Sequence, residues 1–121
     1  PLNKRESRII LGEHVLMDSG TGCVHTAPGH GEDDYRVGLI YDLEVVMPVD
    51  ETGCFDNTIV RDGLIPNAKD FLGRHIFKSN DDLIEIMGDA VLKVSKFTHS
   101  YPHCWRSHTP LIFRATRQWF I

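Results

Sequence analysis

The sequence predicts a small α+β domain, in which a few short helices lie between the strands of a barrel-like β-sheet. Short apolar runs bounded by turn residues predict the strands, at residues 9–11, 15–17, 23–26, 45–49, 91–97 and 111–116. Two segments with apolar residues at helical spacing predict the helices. The length of 121 residues suits a single domain and is too short for two ordinary ones.

A first helix is predicted from Glu32, because acids crowd its first turn, where the helix dipole favours them. Its apolar residues at helical spacing are Tyr35, Leu39, Ile40 and Leu43. A second helix is predicted from Asp81 to Met87, with Asn80 as N-cap and Gly88 as its end. Its predicted buried stripe consists of Leu83, Ile84 and Met87. Residues 67–73 predict one helical turn.

The composition is 41% hydrophobic and 25% charged, which is typical of a soluble globular protein, and no apolar run approaches a membrane span. Three widely spaced cysteines argue against a disulfide framework and for a reducing compartment, so we expect a cytoplasmic protein. The chain starts and stops abruptly, and we therefore expect residues 1–121 to be one domain from a longer protein. Residues 111–121 are expected to form a strand that leads away from that domain.

Charge is unevenly distributed along the chain. Residues 1–90 carry 8 Lys or Arg against 17 acids, whereas residues 91–121 carry 5 Lys or Arg and no acid. A basic segment with interleaved aromatic residues is suited to a phosphate backbone. On composition alone, a solvated basic face is the simpler explanation.

The most informative motif is GTGCVHTAPGHGEDDY, from Gly20 to Tyr35. Glycines allow close approach to the backbone, and proline holds a turn rigid. Two histidines and three acids flank this turn. Such a loop is suited to a substrate with an amine and a reactive carbonyl.

Together with PVDETG from Pro48 and HSYPHCWRSHTPLIFRATRQWFI from His99, this motif resembles the editing domain, or connective peptide, of isoleucyl-tRNA synthetases. The resemblance implies the class I editing fold, truncated on its N-terminal side. It also implies hydrolysis of valyl-tRNA(Ile) after transfer, with hydrolysis before transfer left open. The implied partners are the 3′ end of tRNA(Ile) with its misattached valine and the remainder of the same synthetase chain, with no membrane. No cofactor is implied here; ATP and Mg²⁺ belong to the parent enzyme's catalytic domain.

The resemblance also assigns roles to site residues. Asp34 matches the family aspartate that holds the α-ammonium of the amino acid, and His25 matches a histidine of the pocket. His25 either walls the pocket or acts as a general base, and the sequence does not separate these roles. Pro28, Gly29 and Gly31 are expected to shape the substrate-binding loop. His30 receives no role.

A second group is expected to bind tRNA: Tyr101, Trp105 and Arg106. Trp105 would stack on the 3′ end of tRNA and Arg106 would contact a phosphate, although a Trp105 packed under the sheet is nearly as well supported.

Two other functions stay open. One is a zinc module built from His99, His103, Cys104 and His108, against which the adjacency of His103 and Cys104 counts. The other is a non-catalytic tRNA-binding fragment, because the family's site also uses a threonine-rich segment from earlier in the chain. In that case the isolated chain folds but hydrolyses nothing.

Overall fold

A computed structural model describes residues 6–18, 21–96 and 98–119. Three α-helices lie in this part of the chain: α1 (Glu32–Ile40), α2 (Thr58–Arg61) and α3 (Asn80–Met87). Three short 3-10 helices accompany them, at Ala68–Asp70, Ile76–Lys78 and Gly88–Ala90. The described residues fall into two compact units, one formed by residues 6–47 and 113–119 and the other by residues 48–112. None of the helices in the described ranges is long and apolar enough to cross a bilayer.

The predicted barrel-like β-sheet is wrong, because the described residues contain no β-strand. Pairing there is limited to three isolated bridges, at Val49–Phe55, Cys54–His75 and His103–Pro110. This overturns all six predicted strands, at 9–11, 15–17, 23–26, 45–49, 91–97 and 111–116, as far as they are described. Phe97, and residues 120 and 121 of the predicted 111–121 strand, lie outside the described residues.

The strand predictions failed because an alternation of apolar and polar residues shows only which residues would fit a half-buried pleated surface. A strand also requires a ladder of backbone hydrogen bonds to a neighbour. Ile9 is 99% exposed and Leu92 is 100% exposed, so these two residues cover no core, whereas Val49 of the predicted 45–49 strand is buried without forming a strand.

In the first unit, α1 begins where the sequence predicts. Gly31 is its N-cap, and Glu32, Asp33 and Asp34 occupy its first turn. Its buried face is different from the predicted one: the buried residues are Val37 and Gly38. The predicted apolar residues Tyr35, Leu39 and Ile40 are exposed, and the helix ends before Leu43.

The second unit has a small core made of Ile59, Ala68 and Phe71. Six partly buried residues pack against this core: Phe55, Val60, Leu64, Ile65, Leu83 and Ile86. The rings of Phe55 and Phe71 meet edge to face, with centroids 6.3 Å apart. These contacts join α2, the following 3-10 turn and α3 into one packed cluster.

Helix α3 confirms its prediction in part. Gly88, with φ of 49°, ends the helix as predicted, and Leu83 packs on the core. Ser79 is the N-cap, whereas the predicted cap Asn80 is the first helical residue. Ile86 takes the core position predicted for Met87, which is 43% exposed.

The PVDETG segment forms a tight turn that Asp50 closes. Its Oδ1 accepts hydrogen bonds from the backbone amides of Thr52 at 2.8 Å and Cys54 at 2.9 Å. The amide of Asp50 in turn donates to the Cys54 carbonyl oxygen at 2.8 Å. Asparagine and aspartate favour turns because their side chains bond to the backbone two residues further on.

Candidate functional site

The loop that precedes α1 is a tight turn in the first unit. The amide of His30 donates to the carbonyl oxygen of Ala27 at 2.8 Å, and Pro28 and Gly29 are buried. Gly29 lies directly against another segment: a Cβ at this position would come within 2.5 Å of the Val46 carbonyl oxygen. Because real Cβ atoms do not approach backbone oxygens so closely, this position requires glycine.

Asp34 folds back onto this loop from the first turn of α1. Its Oδ2 accepts a hydrogen bond of 3.0 Å from the backbone amide of Ala27, and its side chain is half-buried. An ionised carboxylate has about four acceptor positions on two oxygens, so this single bond leaves capacity for a ligand.

Gly31 makes room for that carboxylate. A Cβ at Gly31 would lie 2.8 Å from Oδ2 of Asp34 and 3.1 Å from its carboxyl carbon. The backbone of Gly31 has φ of −146° and ψ of 141°, an extended conformation that any residue adopts. Glycine is therefore needed here for space and not for backbone conformation.

His25 lies two residues before Ala27, and its side chain is exposed. The Asp34–Ala27 hydrogen bond brings the carboxylate to the segment that carries His25. A shared pocket formed by the His25 and Asp34 side chains stays a prediction, as do the substrate roles of Pro28, Gly29 and Gly31.

His30, to which the sequence assigned no role, holds the loop to a distant segment. Its Nδ1 lies 2.9 Å from the carbonyl oxygen of Phe113, and the amide of Ala115 donates to the Gly29 carbonyl oxygen at 2.8 Å. These partners are more than 80 positions away in the sequence, and no local pattern could have indicated them.

Residues 101–111 of the second unit form a second candidate surface, a closed loop. The Leu111 amide donates to the Pro102 carbonyl oxygen at 3.0 Å, and the Cys104 amide donates to that of Thr109 at 2.9 Å. At its tip Trp105 is 79% exposed, and the Arg106 guanidinium lies 4.8 Å from the centre of the Trp105 ring. Trp105 is therefore not packed beneath a sheet in this structure.

Tyr101 lies at the base of this loop and is 41% exposed. Its hydroxyl donates to the Leu111 carbonyl oxygen at 2.9 Å, and its ring meets those of His99 and His103 edge to face. Tyr101 therefore fixes the loop, whatever else it contacts.

A profile of the family described as "Leucyl-tRNA synthetase, editing domain" matches residues 1–87 of the chain. The chain belongs to this editing-domain family. The resemblance indicated by the Gly20–Tyr35 motif is thereby confirmed.

The editing domain is similar over its whole length to segments of isoleucine–tRNA ligases. It is 84% identical over its whole length to part of an isoleucine–tRNA ligase from Sulfurimonas denitrificans. It is 68% identical to one from Sulfurovum sp. and 64% identical to one from Wolinella succinogenes, again over all 121 residues. The chain spans 13% of the length of each of these relatives.

The editing domain does not gather the residues of the proposed zinc set. Within residues 6–18, 21–96 and 98–119, no three His, Cys, Asp or Glu side chains lie close enough to hold a metal ion. His103 Nδ1 instead bonds to the Tyr101 carbonyl oxygen at 2.8 Å, and the Cys104 thiol accepts from the Ser107 amide at 3.5 Å. Cys23, Cys54 and Cys104 are free cysteines.

Proposed function

We propose that this chain carries the site at which an isoleucyl-tRNA synthetase hydrolyses valyl-tRNA(Ile). Asp34 carries the proposal, because the Ala27 amide orients its carboxylate at the N-terminus of α1, in a chain of the editing-domain family. Full-length identity to segments of isoleucine–tRNA ligases supports the isoleucyl parent. The parent would use ATP and Mg²⁺ in its catalytic domain to charge tRNA(Ile), in the cytoplasm.

The chemical need for such a site is a limit on discrimination. One missing methylene changes binding by about 1–3 kcal/mol, a limit for which isoleucyl-tRNA synthetase is the usual illustration. A synthetic pocket built for isoleucine therefore accepts valine at a rate that translation does not tolerate. A second, smaller site removes the valine and excludes isoleucine by size.

In the proposed mechanism, Asp34 holds the α-ammonium of the esterified valine by a charge-assisted hydrogen bond. Water attacks the ester carbonyl carbon, and the bond from that carbon to the tRNA ribose oxygen breaks. Valine leaves with the oxygen of the water, and the ribose oxygen takes the proton. The backbone amides at the start of α1 are donors available to a carbonyl oxygen.

The decisive test uses the full-length synthetase with Asp34→Asn, which keeps the size of the side chain and removes its charge. A hydrogen bond to a charged group contributes about 1.5–3 kcal/mol, so hydrolysis of valyl-tRNA should fall about 10- to 150-fold. Asp33→Asn is the matched control, because Asp33 lies in the same turn and is exposed. Aminoacylation should be unchanged in both. Equal hydrolysis by the two variants would refute the assignment.

His25 has two candidate roles, which His25→Ala separates in the same enzyme. If the ring walls the pocket, hydrolysis of isoleucyl-tRNA rises while that of valyl-tRNA persists. If the ring is a general base, both rates fall, typically by 10²- to 10⁴-fold. Unchanged rates and selectivity would remove His25 from the site.

Trp105 and Arg106 are proposed to contact the 3′ end of tRNA, and the exposure of Trp105 supports this. Loss of one stacked base costs about 1–3 kcal/mol. Trp105→Ala should therefore raise KM for valyl-tRNA about 5- to 150-fold, whereas Trp105→Phe keeps a stacking ring and most of the affinity. Equal KM values for the Ala variant and the wild type would exclude the contact.

The non-catalytic alternative is tested with the 121-residue chain alone. Turnover of valyl-tRNA by this chain supports a sufficient site. Binding without turnover supports a tRNA-binding segment that needs residues from elsewhere in the parent.

A further inference from the structure

Three contacts join the Pro28–Gly31 loop to residues 46, 113 and 115 of the first unit. Val46 lies against Gly29 on one side, and the Ala115 amide bonds to the Gly29 carbonyl oxygen. The third contact, from His30 to the Phe113 carbonyl oxygen, is made by a side chain. The loop is thus bonded to residues 113 and 115, which follow the second unit in the sequence.

The acceptor determines which nitrogen of the His30 ring carries the proton. A backbone carbonyl oxygen only accepts hydrogen bonds, so Nδ1 of His30 is the donor and carries the proton. His30 is half-buried, and its bond to Phe113 lies at an exposed position. The bond therefore holds both the ring and the loop backbone that carries it.

His30 lies between two residues with little intrinsic backbone preference. Glycine lies on both sides of it, at positions 29 and 31, and glycine has the greatest conformational freedom of any residue. The next residues along the chain lead directly to Asp34. A shift of the loop at His30 would therefore move both Gly31 and the Ala27 turn, the two groups that contact the Asp34 carboxylate.

We propose that His30 is a positioning residue for editing, which fixes the Asp34-bearing loop through its hydrogen bond to Phe113. This inference rests on the proposed function of Asp34. A displacement of about 1 Å at a reacting centre can cost 10²-fold in rate. Loss of the bond should accordingly lower kcat for valyl-tRNA hydrolysis about 10- to 100-fold, with a smaller change in KM.

The test compares His30→Phe with His30→Asn in the full-length synthetase. Phenylalanine keeps an aromatic ring and loses the donor, whereas the asparagine amide places a donor close to the position of Nδ1. We expect the Phe variant to lose kcat as stated and the Asn variant to stay within about threefold of wild type. His14→Asn, at a half-buried histidine of the first unit outside the candidate site, is the control for a His-to-Asn change.

Three results would overturn the inference: a Phe variant with wild-type kcat, an Asn variant as impaired as the Phe variant, or parallel losses of aminoacylation and hydrolysis. Aminoacylation and thermal unfolding report on folding, and His30→Ala replaces the Phe variant if its larger ring prevents folding. Asp34→Asn in the same assays separates the two claims. If Asp34→Asn abolishes hydrolysis while His30→Phe does not, only the positioning role is lost; if Asp34→Asn is active, the proposed function itself fails.

Discussion

The Pro28 ring packs directly on Gly38 in the last turn of α1. A Cβ at Gly38 would lie 2.9 Å from Pro28 Cγ and 3.1 Å from its Cβ. Gly38 thus packs against the loop at Pro28, and Asp34 in the first turn of the same helix bonds to the loop at Ala27. Helix α1 therefore both packs against the loop of the candidate site and carries Asp34.

Gly38→Ala tests the packing of Pro28 on α1. Alanine favours a helix by about 1 kcal/mol over glycine, but overpacking costs about 1–3 kcal/mol. The ring of Pro28 is stiff and buried, so we expect the steric cost to win, with a net loss of about 1 kcal/mol in unfolding free energy and slower hydrolysis of valyl-tRNA. Denaturant unfolding and deacylation assays measure the two effects. A stabilised, fully active variant would show that the contact relaxes freely; Leu39→Ala, on the exposed face, is the control.

Gly31→Ser should separate helix stability from editing. Serine is a better N-cap than glycine by a few tenths of a kcal/mol, which should offset part of the stability lost with the Asp34–Ala27 hydrogen bond. Its Cβ would still approach Oδ2 of Asp34 to 2.8 Å and displace the carboxylate. We expect valyl-tRNA hydrolysis to fall at least tenfold in the full-length enzyme, with aminoacylation unchanged. Gly31→Ala should show the same kinetic loss without the cap; wild-type deacylation by either variant contradicts the steric argument.

Ile59→Ala tests the core of the second unit. Ile59 is 2% exposed and sits in the cluster with Ala68 and Phe71. Truncation of such a residue to alanine costs about 2–5 kcal/mol through lost burial and a remaining cavity. Chemical denaturation of the chain should show this loss, whereas Leu72→Ala, at a 49% exposed position, should stay within about 0.5 kcal/mol. A small effect at Ile59 would mean that this cluster is not the stabilising core.

Cys104 should react at lower pH than an ordinary thiol. Hydrogen bonds from the Ser107 side chain and backbone, and then from the Arg106 backbone, lower the pKa of Cys104. The thiolate is the nucleophile, so alkylation of Cys104 should stay fast until the pH falls through this lowered pKa. Mass spectrometry of iodoacetamide-treated protein across pH measures the profile. Ser107→Ala removes the largest cause and should move the profile to higher pH; an unmoved profile would assign the shift elsewhere.

Local features of the chain were predictable because their causes lie within a few residues. The acids at 32–34 indicated the start of α1 through the helix dipole, and Gly88 indicated the end of α3 because glycine readily adopts the positive φ found there. The turn that Asp50 closes follows from the same short-range bonding. The motif from Gly20 to Tyr35 indicated the editing-domain family without any three-dimensional information.

Tertiary contacts decided the rest. The predicted strands are not formed in the described residues. Alternating apolar residues can form one apolar face, but a strand also needs a neighbouring strand that bonds to its backbone. Helix α1 buries Val37 and Gly38, and not its larger apolar residues, because Pro28 packs on Gly38. His30 acquires a role only through Phe113, a partner 83 positions away. The sequence pattern shows which residues are apolar. How distant segments pack against each other decides which of these residues become buried and which polar atoms form hydrogen bonds.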